Sequence, residues 1–113
     1  MSRFGKILFG LVLLAFFSSS VLAQSSTGGI SITVSDPMSA VVAGATVTIK
    51  GSATGNIVRT LQTSGAGLAT APLLPPGTYD VTVSAAGFKQ FTRAQIPVSV
   101  GQITDLRIQL TTG

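Results

Sequence analysis

From Ile30 onward, apolar and polar side chains alternate with a period of two in short runs that glycine and proline cut off. That pattern confines the chain to β structure. Ile30, Ile32 and Val34 alternate with Ser31 and Thr33, and Ala45, Val47 and Ile49 with Thr46, Thr48 and Lys50. Further on, Val81 and Val83 alternate with Thr82 and Ser84, and Leu106, Ile108 and Leu110 with Arg107 and Gln109. Successive strand residues point to opposite faces, so these Val-, Ile- and Thr-rich runs predict half-buried antiparallel strands with one wet face. Turn signals fall between the runs: Asp36-Pro37, Gly51–Gly55, Ser64–Gly67, Pro75-Pro76-Gly77, Ala86-Gly87 and Gly101-Gln102. They also mark off Ile57–Thr63 and Leu68–Leu73 as strands. After residue 23 no twelve-residue window keeps a helical period, because glycines interrupt each candidate. Short strands at a spacing of about 8–12 residues predict a seven-stranded antiparallel β-sandwich.

The first 23 residues follow a different rule. Arg3 and Lys6 precede an apolar run, Ile7–Phe17, which Ser18–Ser20 breaks before Val21-Leu22-Ala23 and Gln24. A charged start, an apolar middle and small residues before a cleavage point are the layout of a secretory signal peptide cut after Ala23. The apolar run falls short of the roughly 20 residues that cross a bilayer. The expected organisation is a signal peptide over residues 1–23, a flexible lead-in over 24–29 and the sandwich over 30–112. The product is expected to be exported to the periplasm, the outer membrane or the medium, with no membrane span in the mature chain.

Composition removes most chemistry. The 113 residues include no His, Cys, Trp or Glu, and the only acids are Asp36, Asp80 and Asp105. Disulfide scaffolds, zinc fingers, cysteine nucleophiles and His-based acid–base mechanisms are thereby excluded. The three carboxylates lie far apart in sequence, and no motif makes any two converge. An intramolecular Lys–Asn crosslink needs a buried acid, and the one Asn, Asn56, sits in an apparent loop. No catalytic residue, metal site or cofactor is expected. Without Arg3 and Lys6, five cations remain against the three Asp, a net charge of +2. These five are dispersed along the chain and do not form the basic face that neutralises phosphates, so nucleic acid is not an expected partner.

Three segments carry a family likeness: Gly29–Ile49 (GISITVSDPMSAVVAGATVTI), Leu74–Phe88 (LPPGTYDVTVSAAGF) and Val98–Leu110 (VSVGQITDLRIQL). Together they resemble the carboxypeptidase regulatory-like domain, a transthyretin-like or carbohydrate-binding-like sandwich. The likeness extends to the version that opens TonB-dependent, Oar-like outer-membrane receptors directly after their signal peptide. It implies a non-catalytic binding or spacer module. The hydroxyisourate hydrolases of the transthyretin-like group depend on histidines that this chain lacks. The zinc chemistry of the family's namesake resides in a separate domain.

Within that frame Pro75, Pro76, Gly77, Tyr79 and Phe88 are expected to be structural. The prolines and glycine reverse the chain into Tyr79–Val83, the Tyr79 hydroxyl reaches nearby backbone as in a tyrosine corner, and the Phe88 ring folds over the end of the core. Thr63–Leu68 (TSGAGL) departs from the acidic or Asn-rich turn and following aromatic common in relatives, and a more flexible hairpin is expected there. Period two places Lys89, Phe91 and Arg93 on one strand face, a candidate contact for a polysaccharide or an envelope protein. Two readings follow: the binding or spacer module, and, as the alternative, a carbohydrate-binding accessory module of the same fold. An exposed aromatic cluster would favour glycan, whereas a Ser/Thr surface with an open strand edge would favour protein.

Overall fold

A computed structural model describes residues 26–113, so the signal peptide expected over 1–23 lies outside the described residues. The described chain forms seven strands and no helix: β1 (Gly28–Ser35), β2 (Thr46–Gly51), β3 (Ile57–Gln62), β4 (Leu68–Leu74), β5 (Gly77–Ser84), β6 (Phe91–Val98) and β7 (Ile103–Gln109). They build a sandwich of a three-stranded sheet, β4-β1-β7, on a four-stranded sheet, β3-β2-β5-β6. The alternation places its residues as expected. Ile30, Ile32 and Val34 of β1, Val47 and Ile49 of β2, Val81 and Val83 of β5, and Leu106 and Ile108 of β7 all face the core. Burying each such side chain contributes about 1.5–3 kcal/mol, which is why these runs outweigh the weak local preferences of the glycine-rich connections.

Six of the seven strands carry only antiparallel pairings or, like β1, at least one; the exception to the pattern is the β1–β7 pair, which runs parallel, with Gly29 opposite Ile103 and Val34 opposite Ile108. Side-chain alternation reports which face a residue occupies and not which way its neighbour runs, so this pairing is not legible in the period. Parallel neighbours need a long connection, and the first and last strands of the chain have the longest one available. As a result the described chain begins at one pole of the sandwich and finishes at the other. We call these the N-pole (the start of β1) and the C-pole (its finish).

β1 starts at Gly28, two residues before the alternation becomes visible. Gly28 opposes Leu74 and Gly29 opposes Ile103, so both already belong to the sheet instead of the lead-in. Glycine is required at position 28 because a Cβ there would run into the Ser99 and Gln102 carbonyl oxygens.

The open sides of the sandwich are closed by arginines on the two edge strands of the larger sheet. On β3, Arg59 and Leu61 oppose the inward-facing Ile49 and Val47. Leu61 packs on the core, and the Arg59 guanidinium reaches the Pro72 and Leu73 carbonyls of β4, each at 3.5 Å. On β6, Phe91 and Arg93 oppose Val83 and Val81 in the same inward register. Each rim is thus finished by an apolar residue with an arginine two positions away in the same inward register.

The segment expected to be a loose hairpin instead carries the chain from one sheet to the other, and it is well tied. Ser64 N donates to the Leu68 carbonyl at 2.9 Å, the Ser64 hydroxyl accepts from Ala66 N and Leu68 N, and Val34 N donates to the Gly67 carbonyl at 2.8 Å. Gly67 adopts φ 72°, and a Cβ there would run into the Val34 carbonyl oxygen and the Val41 side chain, so no larger residue fits without strain. Ser64 and glycine therefore do the work that an acidic or Asn-rich turn does elsewhere.

Candidate functional site

The residues expected to be structural sit at both poles. At the N-pole, Tyr79 is buried, and its hydroxyl donates to the Pro75 carbonyl at 2.5 Å, closing the turn that Pro75, Pro76 and Gly77 form. At the C-pole, Phe88 is half-buried against the core; its N–H donates to the Ala85 carbonyl at 3.1 Å, and the residue bridges to Thr112.

The structure brings together two of the three candidate contact residues. The Phe91 ring is half-buried against the core, with the Arg93 guanidinium carbon 5.5 Å from its centroid. A cation over an aromatic face at an exposed site is worth about 0.5–1 kcal/mol. Lys89 does not join them. Its N–H donates to the Thr111 carbonyl at 2.8 Å, which ties residue 89 to the C-terminal segment ahead of β6. Period two extrapolated back from Phe91 fails here because the strand starts at Phe91.

Asp80 lies on the wet face as the alternation requires, but its carboxylate is engaged. One oxygen accepts from the Ser52 hydroxyl at 2.6 Å and from Gln95 N at 3.0 Å. Gln95 has φ 56°, and β6 carries an extra residue opposite Asp80 between the Tyr79–Ile96 and Val81–Arg93 pairs. The carboxylate therefore pins a β-bulge, a device that also blunts an exposed edge. The Ser52 hydrogen bond, then the Gln95 N–H and the Lys50 charge, hold the Asp80 pKa below its ordinary 3.8, against a smaller opposing effect of burial. A carboxylate depressed on folding stabilises the fold above its unfolded pKa and loses that contribution as pH falls through the folded value. Melting temperature should therefore fall on acidification below about pH 4. The fall should be shallower in Asp80→Asn, measured by circular dichroism across that window; equal slopes would remove Asp80 from the acid response.

Two surfaces were not singled out from the sequence. The outer face of the four-stranded sheet carries a continuous cross-strand row, Thr60, Thr48, Thr82 and Thr92, in direct register. The Thr82 and Thr92 hydroxyls are 3.1 Å apart, and beside them Lys50, Ser84 and Gln90 line a shallow polar depression. On the three-stranded sheet, an apolar cleft of about 220 Å³ opens at the N-pole. Gly28 and Gly29 form its floor, between Pro72-Leu73 of β4 and Ile103 of β7. Leu73 and Ile103 are 66% and 69% exposed. The signal for this cleft was in the sequence: Ile103 occupies the outward phase shared by Asp105 and Arg107, where the alternation calls for a polar residue.

Among the described residues no three His, Cys, Asp or Glu side chains gather as a metal site, and no helix is long and apolar enough to cross a membrane.

Residues 29–111 match the carboxypeptidase regulatory-like domain. No curated protein matches the chain. Among solved structures, the Bacillus anthracis TIE protein superposes with a TM-score of 0.66 at 23% identity over 77% of this chain. The group B streptococcus pilus 2b backbone protein gives 0.60 at 18% identity over 76%. A Bacteroides uniformis protein described provisionally as carbohydrate binding gives 0.58 at 16% identity over 73%. The chain spans 17%, 41% and 40% of those three proteins, so the likeness is one of fold.

Proposed function

This chain belongs to the carboxypeptidase regulatory-like domain family, and from that premise we propose that it is an exported, non-catalytic spacer and protein-binding module. It is of the type that opens TonB-dependent outer-membrane receptors. The observation that carries the spacer role is the parallel β1–β7 pair. A sandwich whose first and last strands run side by side in one direction receives the chain at one pole and releases it at the other. It adds its own length to whatever it connects, on the order of 25 Å for an eight-residue strand. Export rests on the layout of residues 1–23, and placement in the cell envelope on the likeness of Gly29–Leu110 to receptor N-terminal domains.

The non-catalytic reading is supported by a sequence without His, Cys or Glu and by the engagement of Asp80 in the bulge. Protein is favoured over glycan because the aromatics after the signal segment, Tyr79, Phe88 and Phe91, all pack on or in the core. Tyr79 is spent in the core, Phe88 and Phe91 are half-buried against it, and the Arg93 guanidinium already lies over the Phe91 ring.

The carbohydrate-binding alternative has one supporting observation, the Phe91–Arg93 pair at the β6 rim. Affinity retention on insoluble and soluble polysaccharides separates the two readings, with Phe91→Ala as the control. The purified chain should elute unretarded. Retention that Phe91→Ala abolishes would replace the spacer with the accessory module and place its site on β6.

A further inference from the structure

We propose that copies of this chain associate head to tail, the turn that carries Met38 in one copy seating in the Leu73–Ile103 cleft of the next. Knob and cleft occupy the two ends of a single strand. The cleft floor is Gly28 and Gly29, where β1 starts, and Met38 stands three residues beyond Ser35, where β1 finishes. Knob and cleft therefore lie about one strand length apart along β1, at opposite poles.

The knob is prepared for insertion. Met38 is 87% exposed, yet its backbone is held firmly. One Asp36 carboxylate oxygen accepts from Met38 N and from Ala40 N, each at 2.9 Å. Asp36 N donates to the Ala40 carbonyl at 2.8 Å, and Ser39 N to the Asp36 carbonyl at 3.0 Å. A turn fixed by four hydrogen bonds loses little freedom on docking. Methionine suits the task because its unbranched, polarisable side chain adapts to an irregular apolar cleft.

The two partners also match in charge. The Asp36 carboxylate stands beside the knob, and the Arg59 guanidinium lies against the Pro72 and Leu73 carbonyls at the cleft wall. A head-to-tail contact brings the Asp36 side of one copy to the Arg59 side of the next, an electrostatically complementary pairing. Such a contact uses different patches on the two copies and propagates instead of closing. A cleft of about 220 Å³ takes a side chain and not a strand, so the contact is small and operates where copies are crowded or tethered. The inference depends on the geometry of the two poles and not on export or on a receptor context.

The chain has no native cysteine, which makes thiol crosslinking a clean test. Met38→Cys and Ile103→Cys both change exposed side chains and leave the core intact. Under mild oxidation, a mixture of the two single variants should give a disulfide-linked dimer that neither gives alone. A chain carrying both substitutions should give a ladder of dimer, trimer and higher species on non-reducing gels. Adding Leu73→Asp to the Ile103→Cys partner should abolish the mixed dimer. A mixture that stays monomeric, single variants that crosslink as fast as the mixture, or a yield indifferent to Leu73→Asp would each overturn the proposal.

Discussion

Tyr79→Ala should leave the domain on the edge of unfolding. The side chain is 5% exposed, and it fills the N-pole of the core between the Pro75-Pro76-Gly77 turn and β6, where Tyr79 opposes Ile96. Truncating a buried aromatic to alanine costs about 3–5 kcal/mol, because the transfer energy is lost and a cavity remains. A domain of this size holds only about 5–10 kcal/mol in total. Tyr79→Phe isolates the other half of the interaction. It keeps the ring and removes only the hydroxyl that donates to the Pro75 carbonyl, a loss of about 1 kcal/mol. Thermal melts of the three proteins should rank wild type, Phe and Ala, with the larger gap between Phe and Ala. An Ala variant that melts with wild type would mean that the ring does not support this pole. A Phe variant as damaged as Ala would mean that the hydroxyl, and not the ring, carries the stability.

Tyr79 is also where sequence and structure agree most closely, and the reason is local. Three turn-forming residues followed by an aromatic on the inward phase leave few alternatives, and every interaction involved spans only a few positions. The seven strands and their faces were legible for the same reason, since alternation is a property of consecutive residues. What escaped the sequence depends on contacts between distant ones. The parallel direction of β7 beside β1 leaves no trace in either strand. The bulge that Asp80 pins needs Gln95, fifteen residues away, in a left-handed conformation that Gln seldom adopts. Lys89 was assigned to the Phe91 face because period two was continued through residues that precede the strand. The cleft at Gly28 and Gly29 fell partly within what read as lead-in, because two glycines carry no alternation at all.

Thr63 makes the same point through energy, and its replacement should be the most instructive substitution near the C-pole. It is the one buried polar residue of the described chain, 5% exposed, and its hydroxyl is used twice. It donates to the Val42 carbonyl at 2.7 Å and accepts from Ala45 N at 2.9 Å. The Thr63 backbone adds two more bonds to the same segment, from its N–H to the Ala45 carbonyl and from Gly44 N to its own carbonyl, each at 2.9 Å. One residue after β3 thereby fixes the approach to β2 from the loop that carries Met38.

Thr63→Val preserves the volume and makes the core more apolar, and a hydrophobicity argument would score it as neutral or favourable. It also strands a buried donor and a partly buried acceptor, each costing about 1–3 kcal/mol, so the expected loss is about 2–6 kcal/mol. Thr63→Ser keeps the hydroxyl and gives up one methyl, for about 1 kcal/mol. Urea denaturation should therefore place Val well below Ser in midpoint at an unchanged m value, reversing the order that burial of apolar surface alone dictates. If Ser proved the weaker of the two, the methyl and not the hydroxyl would hold this corner. The turn that presents Met38 would then owe its geometry to the Asp36 hydrogen bonds rather than to Thr63.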